Sequence, residues 1–179
     1  MEDQPLLVFA VSRSAPPLRV LRDALRDAGH PVEFGTGAVG EATQEELDAT
    51  HWEAVFARWM EPEMHEVWLI ERMVRGEDEE AETAIDQGLR LAADFADAAG
   101  QWIVNDHLRR TQVVYIVEIL PALFADEDHP AWVALDVALR SLAQNTQGLI
   151  YAEAEGFYDA NGEMILAETG EEEGSEADE

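Results

Sequence analysis

Neither cysteine nor lysine occurs anywhere in this 179-residue chain, and the two absences exclude more chemistry than any motif supplies. Without thiols there is no thiolate nucleophile, no iron–sulfur cluster and no cysteine-ligated zinc. There is also no disulfide, which fits a reducing compartment. All 11 basic residues are arginines, from Arg13 to Arg140. Schiff-base and pyridoxal-phosphate enzymes, Walker-type NTPases and protein kinases each need a lysine for imine formation or phosphate charge, so those classes fall away. A nuclease built on an acidic cluster plus lysine is disfavoured for the same reason.

Long apolar runs are missing as well. No stretch approaches the roughly 18 consecutive apolar residues of a membrane helix. The opening Met1-Glu2-Asp3-Gln4 is acidic where a secretory leader would be basic. The expectation is a protein that is neither exported nor membrane-spanning, located in the cytoplasm. Familiar catalytic signatures are absent too: Ser12, Ser14, Ser141 and Ser175 form no G-x-S-x-G elbow, and Gly35, Gly37 and Gly40 do not complete G-x-G-x-x-G.

What the chain has in excess is negative charge, 39 acidic residues for a formal net charge of −28. Glu168, Glu171, Glu172, Glu173, Glu176, Asp178 and Glu179 account for 7 of these charges, which leaves −21 on residues 1–167. The acidity therefore belongs to the body of the chain and not to its end alone. GC-rich coding bias, adaptation to concentrated salt, and imitation of or docking to a charged partner would each produce it. Such a field repels nucleic-acid phosphate and anionic lipid, so direct binding to either is not expected, and a basic protein is the natural partner.

Hydrophobic patterning gives one α+β domain over residues 1–167, with 168–179 as a disordered acidic tail. Pro5–Ser12 reads as a buried strand, Leu18, Leu21, Leu25 and Ala28 mark an amphipathic helix closed by Gly29, and 31–34 reads as a second strand. Thr43 with Glu46 forms a capping-box pattern, and 51–59 alternates as a strand. Residues 65–74 suit a strand or a helix equally. A helix should run from the acidic stretch 77–80 to Gly100, followed by a short strand, Trp102–Asp106, and a polar corner from His107 to Arg110. Residues 111–120 read as a strand stopped by Pro121, and Trp132 to Leu142 as a helix. A strand over 148–155 and a hairpin over 157–166 follow, with Asn161-Gly162 as a type I′ turn. The sum is a mixed, mainly antiparallel sheet with helices packed on one face, split β-α-β units and a weak internal repeat relating Trp102–Asp106 to the strand after Gly148. All five tryptophans sit in apolar segments and are expected in the core.

Two constellations carry candidate chemistry. On an extended segment Glu61, Glu63 and His65 project to one side, and two carboxylates with an imidazole are a reasonable set for a divalent metal. The spacing is not H-E-x-x-H, because Leu69 stands where the second histidine would be. The second is Asp106-His107 with Arg109-Arg110, an orienting acid, a base and two anion-holding cations just past a strand end. Asp126, Glu127, Asp128 and His129 read as a helix start, and Asp159-x-Asn161-Gly162-Glu163 lacks the terminal ligand of a calcium loop.

The leading functional expectation is a non-catalytic protein that binds a basic protein partner, as an inhibitor, an immunity-like protein or a nucleic-acid mimic. No cofactor is expected on this reading. The alternative is a metal-dependent hydrolase or transferase using Glu61, Glu63 and His65 with Asp106 or His107. A second alternative is a small-molecule-binding regulatory domain with its pocket beneath the glycine-rich connection after residue 34. No feature of the sequence sets an oligomeric state.

Overall fold

A computed structural model describes residues 6–36 and 42–168, and the elements appear in nearly the order the patterning implies. Strand β1 (Leu6–Ala10) leads through helix α1 (Leu18–Asp27) to β2 (Val32–Gly35); a short α2 (Gln44–Asp48) precedes β3 (Ala54–Trp59) and β4 (His65–Val74). Two helices follow, α3 (Glu79–Asp94) and α4 (Ala98–Arg110), then β5 (Val113–Ile119), a four-residue α5 (Pro121–Phe124) and α6 (Ala131–Thr146). The chain closes with β6 (Gly148–Ala152), β7 (Gly156–Tyr158) and β8 (Met164–Ala167).

The strands make one eight-stranded sheet in the order β2-β3-β4-β5-β1-β6-β7-β8, antiparallel at every junction. The fold is therefore α+β with an antiparallel sheet. Strict alternation across β2 to β1 makes β1 and β2 point the same way with three strands between them, so β1-α1-β2 is a split crossover unit. No such relation ties α4 to the later strands.

The helices occupy both faces, not one. Val8 and Ala10 of β1 face a core with Leu18, Leu21 and Leu25 of α1 and Leu135, Ala138 and Leu142 of α6. Leu7 and Phe9, one residue out of step, face a second core with Ala81, Ile85 and Ala92 of α3 and Val104 and Leu108 of α4. A strand buried on both sides has no polar face to show, which is why β1 reads as a continuous apolar run. The second layer is packed tightly: a Cβ at Gly88 of α3 would stand 3.2 Å from both the Leu108 and Phe9 side chains.

The segment 98–110 corrects the expected strand at 102–106. Asp97 caps it by accepting a hydrogen bond from the Ala99 amide at 3.1 Å, and Val104 and Leu108, four residues apart, supply its buried stripe. The β-prone residues that suggest a strand, Trp102 and Ile103, lie on the solvent side, 71% and 46% exposed. Trp102 is thus not a core residue, and the internal repeat dissolves because one of its two members is helical. The hairpin turn also differs from type I′, which needs positive φ at both central residues. Only Gly162 is left-handed (φ 79°), the Gly162 amide bonds the Asp159 carbonyl at 3.0 Å, and the Asp159 carboxylate accepts from the Asn161 and Glu163 amides at 2.8 and 2.9 Å. The proposed tail lies outside the described residues from 169 onward, as do 37–41 of the glycine-rich connection.

Candidate functional site

Glu61, Glu63 and His65 sit at the turn between β3 and β4, but they do not converge on one another. Both glutamates are exposed, while His65 turns toward the segment joining α5 to α6 and places its Nε2 3.2 Å from that of His129. The His129 and Trp59 rings meet at near right angles with a centroid distance of 5.2 Å, and His30 lies on from Trp59 at 6.3 Å. Three of the five histidines and one tryptophan thus form a row along the end of the sheet.

Backbone contacts fix the protons in this row when the rings are neutral. The Ala131 amide donates to His129 Nδ1 at 3.0 Å, so that nitrogen carries a lone pair and Nε2 carries the hydrogen. His65 Nδ1 lies 3.0 Å from the Glu63 carbonyl, which can only accept, so His65 Nδ1 carries its hydrogen and Nε2 its lone pair. His129 Nε2–H therefore donates to His65 Nε2. A metal ion held by both Nε2 atoms would require the His129 hydrogen to move to Nδ1, against the Ala131 N–H. Among the described residues no group of three or more His, Asp or Glu is placed to hold one ion.

Asp106, His107, Arg109 and Arg110 lie on the last turns of α4, on the opposite face of the sheet. His107 Nε2 reaches the Phe9 carbonyl at 2.7 Å, and burial holds this imidazole below its ordinary value of 6.5 despite that hydrogen bond. Asp106 faces away from it and pairs with Arg110 at 3.0 Å, one helical turn on. Phe9 aligns with Val114 and Val114 with Met73, eight residues along β4 from His65. At about 3.3 Å per residue that separates the two constellations by roughly 25 Å. They cannot share a substrate or an ion.

The surface that sequence reasoning missed is the sheet face over β2 to β5. Among the described residues helices α3 and α4 cover the second face from β5 through β1 to β8, with Met73 and Ile116 at the margin of that core, and the register shows what continues beyond them. Phe56 stands opposite Leu69, Leu69 opposite Glu118, and Glu71 opposite Ile116, all on the face shared with Val114. Phe56, Leu69 and Ile116 are only partly buried, and Glu33 and Glu66 lie on the same face beside Arg58. Arg58 is 5% exposed and 3.7 Å from Glu66, its guanidinium lying over Gly35. The floor is apolar and the charges standing on it are mostly glutamates. The signal was present in the acids that interrupt otherwise apolar strands, Glu66, Glu71 and Glu118.

Charge elsewhere is distributed in the same sense. Glu2, Asp3, Glu41 and the six acids of 171–179 are outside the described residues, which leaves 30 acids facing all 11 arginines. Eight arginines already hold a carboxylate, Arg13 with Glu77, Arg19 with Asp48 and Arg75 with Glu82 among them. Since Arg110 is one of the eight, the Arg109-Arg110 pair does not form a free basic patch. Beside the described end of the glycine-rich connection, Thr36, Glu46, His51 and Trp52 border an open hollow of about 380 Å³. Among the described residues no helix is long and apolar enough to cross a membrane.

No family of known proteins, no curated protein and no solved structure matches this chain.

Proposed function

We propose that this chain acts in the cytoplasm by binding a basic protein partner, without catalysing a reaction, in the manner of an inhibitor, an immunity-like protein or a nucleic-acid mimic. The observation that supports this reading is the excess of 30 described acids over 11 arginines, most of the latter already spent on ion pairs within the fold. Carboxylates held on a rigid sheet and its helices draw a cationic partner toward the surface and raise its association rate, at no cost in rearrangement. The same field disfavours nucleic acid as a direct ligand.

The test is affinity capture from extract of the native cell over a salt series. A basic protein retained at about 0.05 M salt and released by about 0.5 M, where screening shortens the reach of exposed charges to about 4 Å, is the expected result. Retention of neutral or acidic proteins only, or retention indifferent to salt, would count against the reading.

A further inference from the structure

We infer that the partner's docking site is the sheet face over β2, β3 and β4 and the Glu118 end of β5, which no described helix covers, and that its occupant is an amphipathic basic helix supplied by the partner. This rests on the proposed function and names the surface that would carry it.

The first argument is the gap in the fold's own layering. Among the described residues one face of the sheet is roofed by α1 and α6, whereas α3 and α4 roof the other from β5 through β1 to β8 and leave most of β2, β3 and β4 without a helix. From β2 to β5 is three strand spacings, about 14 Å, and a helix with its side chains is about 10 to 12 Å across. One helix laid beside α3 would complete the layer. Its apolar stripe would meet Phe56, Leu69 and Ile116, which are left partly exposed where a roofed sheet would bury them.

The second argument is charge. Glu66, Glu71 and Glu118 stand on this face together with Glu33, which Arg26 pairs at the β2 edge, and with Arg58, which lies 3.7 Å from Glu66. The wall toward α3 adds Glu79 and Glu80, beside Leu7 and Ile116 in a hollow of about 400 Å³. A helix with arginine or lysine flanking an apolar stripe satisfies floor and rim together. The chain's own segment 169–179 has six acids and no cation, and a second copy carries the same charge as the first, so neither suits the face.

The experiment titrates the full-length, isotope-labelled protein with a synthetic probe, an 18-residue helix of arginine and leucine on an alanine background with leucines at i, i+3, i+4 and i+7. Three companions are used: the same peptide with the leucines replaced by alanine, the E71R/E118R variant, and E153R/E163R, which reverses two exposed acids near β7 and β8. Amide shifts confined to Phe56, Leu69, Glu71, Ile116 and Glu118, with affinity weakened at least tenfold in E71R/E118R and less than threefold in E153R/E163R, are the expected outcome. The alanine peptide should also bind at least tenfold more weakly. Binding that maps instead to Trp102 and Ile103, or that both variants weaken equally, overturns the docking face and leaves the electrostatic reading standing. No binding at low salt overturns both. Concentration-dependent dimers through the same residues would give the face to a second copy and overturn the basic helix.

Discussion

The Nε2 atoms of His65 and His129 lie 3.2 Å apart, and the backbone decides which ring carries the hydrogen between them. The chain of donors runs in one direction, from the Ala131 amide through His129 and His65 to the Glu63 carbonyl. Nitrogen-detected NMR at neutral pH should therefore find His129 as the Nε2–H tautomer and His65 as the Nδ1–H tautomer. Identical tautomers in the two rings would show the wiring to be wrong. Each alanine variant should lower stability, and a double-mutant cycle should give a coupling of about 0.5 to 1.5 kcal/mol, the size of one hydrogen bond in a partly buried setting.

His107 makes a separate prediction about pH. Burial lowers its affinity for a proton in the folded state while the unfolded chain keeps the ordinary value of 6.5, so between the folded and unfolded values the unfolded chain binds more protons. The contribution of His107 is fully present above about pH 6.5 and is lost as pH falls through that window toward the lower folded value. Urea unfolding of wild type and H107Q at pH 7.5 and pH 5.5 checks this. Wild type should lose stability relative to H107Q on acidification; parallel behaviour of the two would remove the prediction.

The turn between β6 and β7 depends on a glycine. Gly156 has φ 131°, and a Cβ there would run into the Leu166 carbonyl of β8, two strands' worth of backbone meeting with no room for a methyl group. G156A should cost about 1 to 3 kcal/mol, measured as a fall in the urea midpoint at unchanged slope. A loss under about 0.5 kcal/mol would mean the turn has another way to close.

How much of this was legible follows from where each signal originates. Helices α1 and α6 announce themselves through a period near 3.6 and β3 through alternation, whereas β1 and β5, buried on both faces over most of their length, announce themselves as short apolar runs bounded by proline and polar residues. The capping box at Thr43 is equally local, with Glu46 Oε2 accepting from the Thr43 amide at 2.7 Å. Helix α4 was hidden because the helix period competes with the β-propensity of Trp102, Ile103 and Val104, and a tertiary contact with β1 decides it. The second helical layer escaped notice because a central strand buried on both faces looks the same as one buried on a single face with apolar neighbours. Of the candidate site residues, Asp106 and Arg110 pair one helical turn apart, a local relation, whereas the partner of His65, the helix-start residue His129, stands 64 positions away. Glu71 and Glu118 become a pair only through the register of β4 on β5, which no one-dimensional pattern contains.

That register carries the last prediction. Glu71 faces Ile116, so Glu118 is its diagonal neighbour on the adjacent strand, at a Cα separation of about 7 to 8 Å. At low ionic strength two carboxylates at this range repel through an apolar surface that screens them poorly, and the net charge of −28 adds a repulsion felt across the whole fold. If the face is kept acidic for binding, the unbound protein is strained by it. E71Q/E118Q should therefore melt higher than wild type in about 0.02 M salt, where charges are felt to about 20 Å. The gain should be about 0.3 to 1 kcal/mol, or about 1 to 4 °C for a chain of this size. In about 0.5 M salt, wild type should itself melt higher and the advantage of the variant should vanish, because screening does for the carboxylates what the glutamines did. A variant less stable than wild type at low salt would show these glutamates to be held by favourable contacts, and the acidity of the face would then have a structural origin.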